Sequence, residues 1–194
     1  MPQTNFSVND FLNMTRSVLH DPEHSHPTPG PLTPAAVLVP IIPRGEGASV
    51  LLTRRPDTMP HHAGQIAFPG GKIESGDAGP VAAALRETEE ETGLSPEFAE
   101  ILGCLPVHDT ATGFSIVPVV ARVLPGYSLS PCAVEVAEMF EAPLDFLMDA
   151  ANYSVHTARW RGKLRRYHAV SYGDYFIWGA TAAVLVNLRK QVYG

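Results

Sequence analysis

The sequence predicts an α+β chain, a mixed β-sheet with helices on its faces. Three observations carry that expectation. Two apolar runs, AAVLVPII at 35–42 and ASVLLTRR at 48–55, are joined by the short turn RGEG and read as a hairpin. Residues 80–92 carry the spacing and end signals of a helix. Beyond them strand-like and helical stretches follow one another without a repeat, the order expected of a sheet sandwiched between helices. At 194 residues the chain suits one well-buried domain.

Residues 7–20 suggest an amphipathic helix. Ser7 followed by Asp10 resembles a capping box, and Phe11, Leu12, Met14, Val18 and Leu19 supply its apolar surface. Five prolines then fall between Pro22 and Pro34, which reads as an extended arm with His24 and His26 in solvent. This divides the chain into a helix-and-arm segment at 1–34 and a domain at 35–194. Residues 100–107 and 114–124 are strand candidates on either side of HDTATG, and 134–141 is another. Pro143 opens a short helix. A second hairpin is expected at 153–160 and 163–170 around Arg161-Gly162, a strand at 175–178, and a closing helix at 180–192 with Leu185 and Leu188 inward.

The chemistry concentrates in residues 68–94, FPGGKIESGDAGPVAAALRETEEETGL. Pro80 suits a first helical turn and Gly93 a C-terminal cap, and Asp77 reads as a cap at the helix start. Val81, Leu85, Thr88 and Thr92 form a stripe that can face a core. With Glu87 as zero, Glu90 lies at about −60° and Glu91 at about +40° around the helix. Three carboxylates therefore share one arc on the side away from the stripe. Like charges at this spacing repel by roughly 0.2–0.5 kcal/mol per pair. Clustered hard oxygen ligands suit Mg2+ or Mn2+, which would offset that repulsion.

This stretch resembles the Nudix box, Gly-x5-Glu-x7-Arg-Glu-U-x-Glu-Glu-x-Gly-U, with U aliphatic. Gly71, Arg86, Glu87, Glu90, Glu91, Gly93 and Leu94 occupy its fixed positions. Fourteen residues rather than thirteen separate Gly71 from Arg86, so Asp77 stands in for the displaced middle acid, and Thr88 replaces an aliphatic residue. Upstream, LLTRRPDTMPHHAGQIAFPGG is similar to the signature of the Nudix branch that hydrolyses coenzyme A. Leu51, Leu52, Thr53, Arg55, Gly64, Phe68, Pro69, Gly70 and Gly71 match, and Pro56 and Pro60 depart from it.

The resemblance implies an α/β/α sandwich of the Nudix fold covering residues 35 to about 188. It implies that Glu90 and Glu91 bind the divalent metal, with Glu87 a further ligand or the base toward water and the Gly71 carbonyl an additional ligand. Gly70 would let the diphosphate approach the backbone. Arg86 would pair with a neighbouring glutamate, Glu90 being the i, i+4 partner. Glu135 matches a glutamate this branch places near the metal. Arg55 and His62, with Arg54 and His61 beside them, are the candidates for phosphate. Asp109, Thr110 and Thr112 fall in a loop that faces the box in related proteins. Trp160, Tyr167, Tyr175 and Trp178 are aromatics able to stack a base, and none is assigned.

Composition narrows the classes. Net charge is −6 without a long basic run, which argues against a general nucleic-acid or anionic-membrane surface but not against a small phosphate ligand. Cys104 and Cys132 form neither a metal spacing nor a disulfide framework and read as reduced thiols. There is no signal pattern and no apolar run long enough to span a bilayer, so a cytoplasmic protein is expected. The oligomer is left open, a homodimer included. The expected activity is metal-dependent cleavage of the diphosphate in coenzyme A or acyl-coenzyme A to 3′,5′-ADP and (acyl-)4′-phosphopantetheine. An ADP-ribose, nucleotide-sugar or damaged-nucleotide pyrophosphatase is the alternative enzyme. A nucleotide-sensing module without catalysis is the alternative of another class.

Overall fold

In the computed structural model, which describes residues 7–59, 62–160 and 162–194, strand β1 (Thr33–Arg44) is the axis of a mixed sheet. Its C-terminal half pairs antiparallel with β2 (Gly47–Arg54) around the expected turn. The two-residue β3 (Ile66–Ala67) pairs with the end of β2. The N-terminal half of β1 pairs with β4 (Gly70–Lys72), which brings Gly70 opposite Val37 and Gly71 opposite Ala36. Along its other side β1 runs parallel to β7 (Phe114–Val123), which in turn pairs with β5 (Ala99–Cys104) and the short β6 (His108–Asp109). The edge of β2 is covered by β8 (Glu138–Pro143).

The apolar runs of β1 and β2 are nearly continuous because both faces of the sheet are covered. Successive side chains point to opposite faces. Val39, Ile41, Val50 and Leu52 join one core with α1 (Val8–Val18), α3 (Leu144–Met148) and α4 (Gly179–Tyr193). Ala36, Leu38, Ile42 and Leu51 join the other, roofed by α2 (Pro80–Thr92). Helices thus lie on both faces, the α/β/α arrangement expected from sequence. Helix α1 belongs to the same core as α4, with Phe11 and Leu12 buried beside Leu185 and Leu188. The proline-rich arm behind it is tied down. His20 exchanges both backbone hydrogen bonds with Cys104, and the Thr28 N–H donates to Ser115 Oγ at 2.8 Å.

A three-stranded antiparallel sheet follows, β9 (Tyr153–Trp160), β10 (Lys163–Tyr172) and β11 (Tyr175–Trp178), with β11 lying against β3. The strand expected at 134–141 begins only at Glu138. Residues 133–135 form a turn instead, closed by N–H groups of Glu135 and Val136 donating to the Cys132 carbonyl. No helix among the described residues is long and apolar enough to cross a membrane.

Candidate active site

Helix α2 spans the residues its end signals predict. Pro80 opens it and Gly93 ends it at φ +73°, a left-handed conformation that favours glycine. Asp77 is not its cap: the helix starts after Gly79 without a side-chain cap. Of the expected stripe, Thr88 and Thr92 are buried and Val81 and Leu85 pack partly buried on the same core, while the centre of the face laid on the sheet is Ala83 and Ala84, both fully buried. These small side chains let the helix sit close to β1. Thr88, where an aliphatic residue is usual, is buried without cost to its hydroxyl, which donates to the Ala84 carbonyl at 2.6 Å.

The three carboxylates of this arc differ in burial. Glu90 is exposed, Glu87 is half-buried, and Glu91 is only 4% exposed. The reason is β4, which pairs with β1 and lays the Gly70-Gly71 backbone over the helix. The Gly70 N–H donates to Glu91 Oε2 at 3.1 Å. A methyl at Gly71 would stand 2.5 Å from both carboxylate oxygens of Glu87. Glycine at both positions is therefore a consequence of close approach.

Arg86 organises the rest. Its guanidinium binds Asp77 through two parallel bonds, Nε to Oδ1 at 3.0 Å and Nη2 to Oδ2 at 3.1 Å. Nη1 reaches Glu87 Oε1 at 3.1 Å and Glu90 Oε2 at 3.2 Å, and Nη2 also donates to the Lys72 carbonyl. Asp77, whose side chain is 6% exposed, is thus the anchor of Arg86, held in turn by the Glu74 N–H. The hydrogen bonds from Arg86, helped by the Glu74 N–H and the Arg86 charge, hold the Asp77 carboxyl below the usual carboxylate range against the effect of burial. Glu90 is the expected i, i+4 partner but the most exposed of the three acids that Arg86 meets.

Burial pushes the Glu91 carboxyl up to about 7, against the opposing effects of the Gly70 N–H and the Arg55 charge, with Glu135 and Glu87 adding repulsion. Burial also raises Glu87, offset in part by Arg86, with Glu90 and Glu135 adding repulsion. Five of the expected residues, Arg55, Glu87, Glu90, Glu91 and Glu135, therefore act on one another electrostatically. Glu135 reaches the cluster from its turn, which is bound to α2 by the Cys132 N–H donating to the Glu91 carbonyl at 2.9 Å. Arg55 donates from Nη2 to Met59 Sδ, and its buried Nε has no hydrogen-bond partner among the described residues.

Other expected residues stand apart. His62 adopts φ +59° and pairs its Nδ1 with Gln65 Oε1 at 2.7 Å inside its own loop. Thr110 closes its turn on Phe114, and Thr112 bonds Thr110. Pro60 and His61 lie outside the described residues. Cys104 and Cys132 are free thiols.

Among the described residues, no three His, Cys, Asp or Glu side chains are gathered tightly enough to cage a metal ion by themselves. The donor set nevertheless fits one. Every donor is a hard oxygen, from Glu87, Glu90, Glu91 and Glu135 and from the Gly71 carbonyl, which suits Mg2+ or Mn2+. A buried carboxylate whose ionised form is disfavoured is the kind of group a cation would stabilise.

This has a measurable consequence for the metal-free protein. Between the ordinary carboxylate value of 4.5 and the folded value of about 7, the folded chain binds more protons at Glu91 than the unfolded chain. Stability from this group is full below 4.5 and is lost as pH rises through 7, by about 3 kcal/mol. Asp77 and Glu141 shift the other way, and their loss falls below pH 4.5. His108, lowered by burial, opposes the trend below pH 6.5. Thermal melts in EDTA from pH 5 to 8 on the wild type and Glu91→Gln isolate the term. The wild type should lose stability relative to the variant as pH rises, and parallel curves would show that Glu91 titrates normally.

Comparison with known proteins places these features. The family model described as NUDIX domain matches residues 32–160. A protein of Enterobacter sp. (strain 638) described as uncharacterized Nudix hydrolase NudL is 42% identical over 158 residues, 81% of this chain and 82% of its own. One of the same description from Salmonella newport is 38% identical over 192 residues, 99% of this chain and 98% of its own. Among solved structures, a C. elegans Ap4A hydrolase in a binary complex has a TM-score of 0.50 at 22% identity, covering 57% of this chain and 80% of that one. That likeness is one of fold.

Proposed function

The chain belongs to the Nudix hydrolase family, whose members act on the diphosphate bonds of nucleotide-linked substrates with divalent metal ions, and on that footing we propose that it cleaves the diphosphate of coenzyme A or an acyl-coenzyme A. The products are 3′,5′-ADP and (acyl-)4′-phosphopantetheine. Water attacks one phosphorus, the bond from that phosphorus to the bridging oxygen breaks, and the proton of the water goes to a carboxylate. A divalent ion, when bound, neutralises the phosphoryl charge and lowers the pKa of the attacking water. Glu90, Glu91 and the Gly71 carbonyl would hold it. Glu87 or Glu135 would take the proton, and the raised pKa of Glu87 suits that task. Arg86, fixed by Asp77, keeps Glu87 and Glu90 in register.

The feature that supports coenzyme A over other diphosphates is the upstream signature, and Arg55 is the residue of it that acts on the cluster. Arg55 comes from the LLTRR segment, its charge acts on the buried Glu91, and its buried Nε has no hydrogen-bond partner among the described residues. A cationic donor so placed suits a phosphate oxygen beside the cluster. Arg55→Ala should therefore raise KM for coenzyme A by about 1–3 kcal/mol in binding free energy, roughly 5- to 150-fold, and raise KM for ADP-ribose much less. Equal effects on the two substrates would assign Arg55 to the shared diphosphate site instead.

A further inference from the structure

A cavity of about 350 Å3 lies between β11 and residues 63–66, apart from the acid cluster, with Arg54, Gly64, Gln65, Ile66, Phe176 and Trp178 in its lining. Strand β11 divides its side chains by face. Ile177 is fully buried in the core, and Tyr175, which also lines the cavity, stacks on Phe140 with ring centres 3.6 Å apart and planes 2° from parallel. Phe176 and Trp178 turn the other way and are 45% and 39% exposed. Their directly opposite partners on β10 are small, Ser171 for Phe176 and Ala169 for Trp178, and the rings meet aromatic neighbours only obliquely, Phe176 edge-on to His156 at 6.0 Å and Trp178 tilted against Tyr167 at 5.5 Å. Arg54 in the same lining is held only loosely, at 3.5 Å from Asp57 and 3.5 Å from Glu138.

The cavity is connected to the acid cluster by the chain itself. Ile66 lines it, and four residues later the Gly70 N–H binds Glu91. Even fully extended, the chain would cover no more than about 13 Å over that span, within the reach of a nucleoside 5′-diphosphate from base to terminal phosphate. The volume is at the small end for ligand sites, enough for a base and sugar rather than a whole dinucleotide-sized molecule.

We propose that this cavity is the base subsite. The nucleobase of the substrate stacks against Phe176 and Trp178, and Arg54 faces the sugar-phosphate side. The assignment rests on the reading that the diphosphate lies at Glu87–Glu91, and it places recognition of the nucleoside on β11, outside both sequence signatures.

Trp160→Phe leaves Trp178 as the single tryptophan. In that background ADP, added with Mg2+, should quench Trp178 fluorescence saturably, and ribose 5-phosphate, which has no base, should not displace it. Adding Phe176→Ala should weaken ADP binding about tenfold, and Phe176→Tyr should restore it. Should Phe176→Ala fail to fold, Phe176→Leu, which keeps apolar bulk without a ring, carries the same expectation. Unchanged ADP affinity in a folded Phe176 variant, or absence of quenching by ADP, overturns the subsite. Saturable quenching in a protein that hydrolyses no nucleoside diphosphate leaves the subsite standing and overturns the hydrolase reading.

Discussion

Glu91→Gln is expected to lower kcat by at least about a thousandfold, with the protein folded. Losing a ligand from a catalytic metal site costs on the order of 4 kcal/mol of transition-state stabilisation. Glutamine has the shape of glutamate and retains an oxygen to accept from the Gly70 N–H. It also removes a buried charge whose ionised form the site disfavours, so the metal-free variant should be as stable as the wild type at pH 8 or more so. Activity at saturating metal and thermal stability in EDTA together decide the matter. An unchanged kcat contradicts the ligand assignment. A large loss of stability shows that Glu91 supports the fold instead.

Gly70→Ala should be the most damaging single change for stability, at about 4 kcal/mol. The residue has φ +148°, outside the range an alanine adopts readily, which costs about 1–3 kcal/mol. The added methyl would stand 2.6 Å from Val37 Cα and closer still to the Ala36 carbonyl oxygen. Both are backbone atoms of β1, the central strand, and cannot rotate aside. Forcing them apart adds a further 1–3 kcal/mol. Chemical denaturation of the variant checks this, and a loss under 1 kcal/mol would mean that β4 does not lie against β1 as described. Gly71→Ala separates fold from site. Its methyl meets the Glu87 carboxylate, a movable side chain, so it should impair turnover more than stability.

The parts legible in sequence were those set by local chemistry. Helix α2 was bounded by Pro80 and Gly93 because end signals act within a turn, and β1 and β2 were visible as apolar runs around RGEG. The strands β3, β4 and β6 are two or three residues long and carry no periodicity. β4 matters most, because its pairing with β1 buries Glu91, and a helical wheel knows nothing of a strand laid across it. Asp77 misled for the same reason. Its sequence position suits a cap, but Arg86, nine residues away, captures its side chain. Residues 134–141 look continuous as a strand, yet the Cys132–Glu91 hydrogen bond holds a turn ahead of Glu138. On β11, Trp178 is visible in sequence as an aromatic able to stack a base but Phe176 is not singled out, since exposed and core aromatics look alike in sequence.

We propose that this site cleaves the diphosphate of coenzyme A. Coenzyme A, acyl-coenzyme A, ADP-ribose, NADH and nucleoside triphosphates, each incubated with Mg2+ or Mn2+ and the wild-type protein, with products identified by mass, test it most directly. The expected result is 3′,5′-ADP and 4′-phosphopantetheine from coenzyme A, absent in EDTA and absent with Glu91→Gln. Hydrolysis of ADP-ribose with coenzyme A left intact would contradict it.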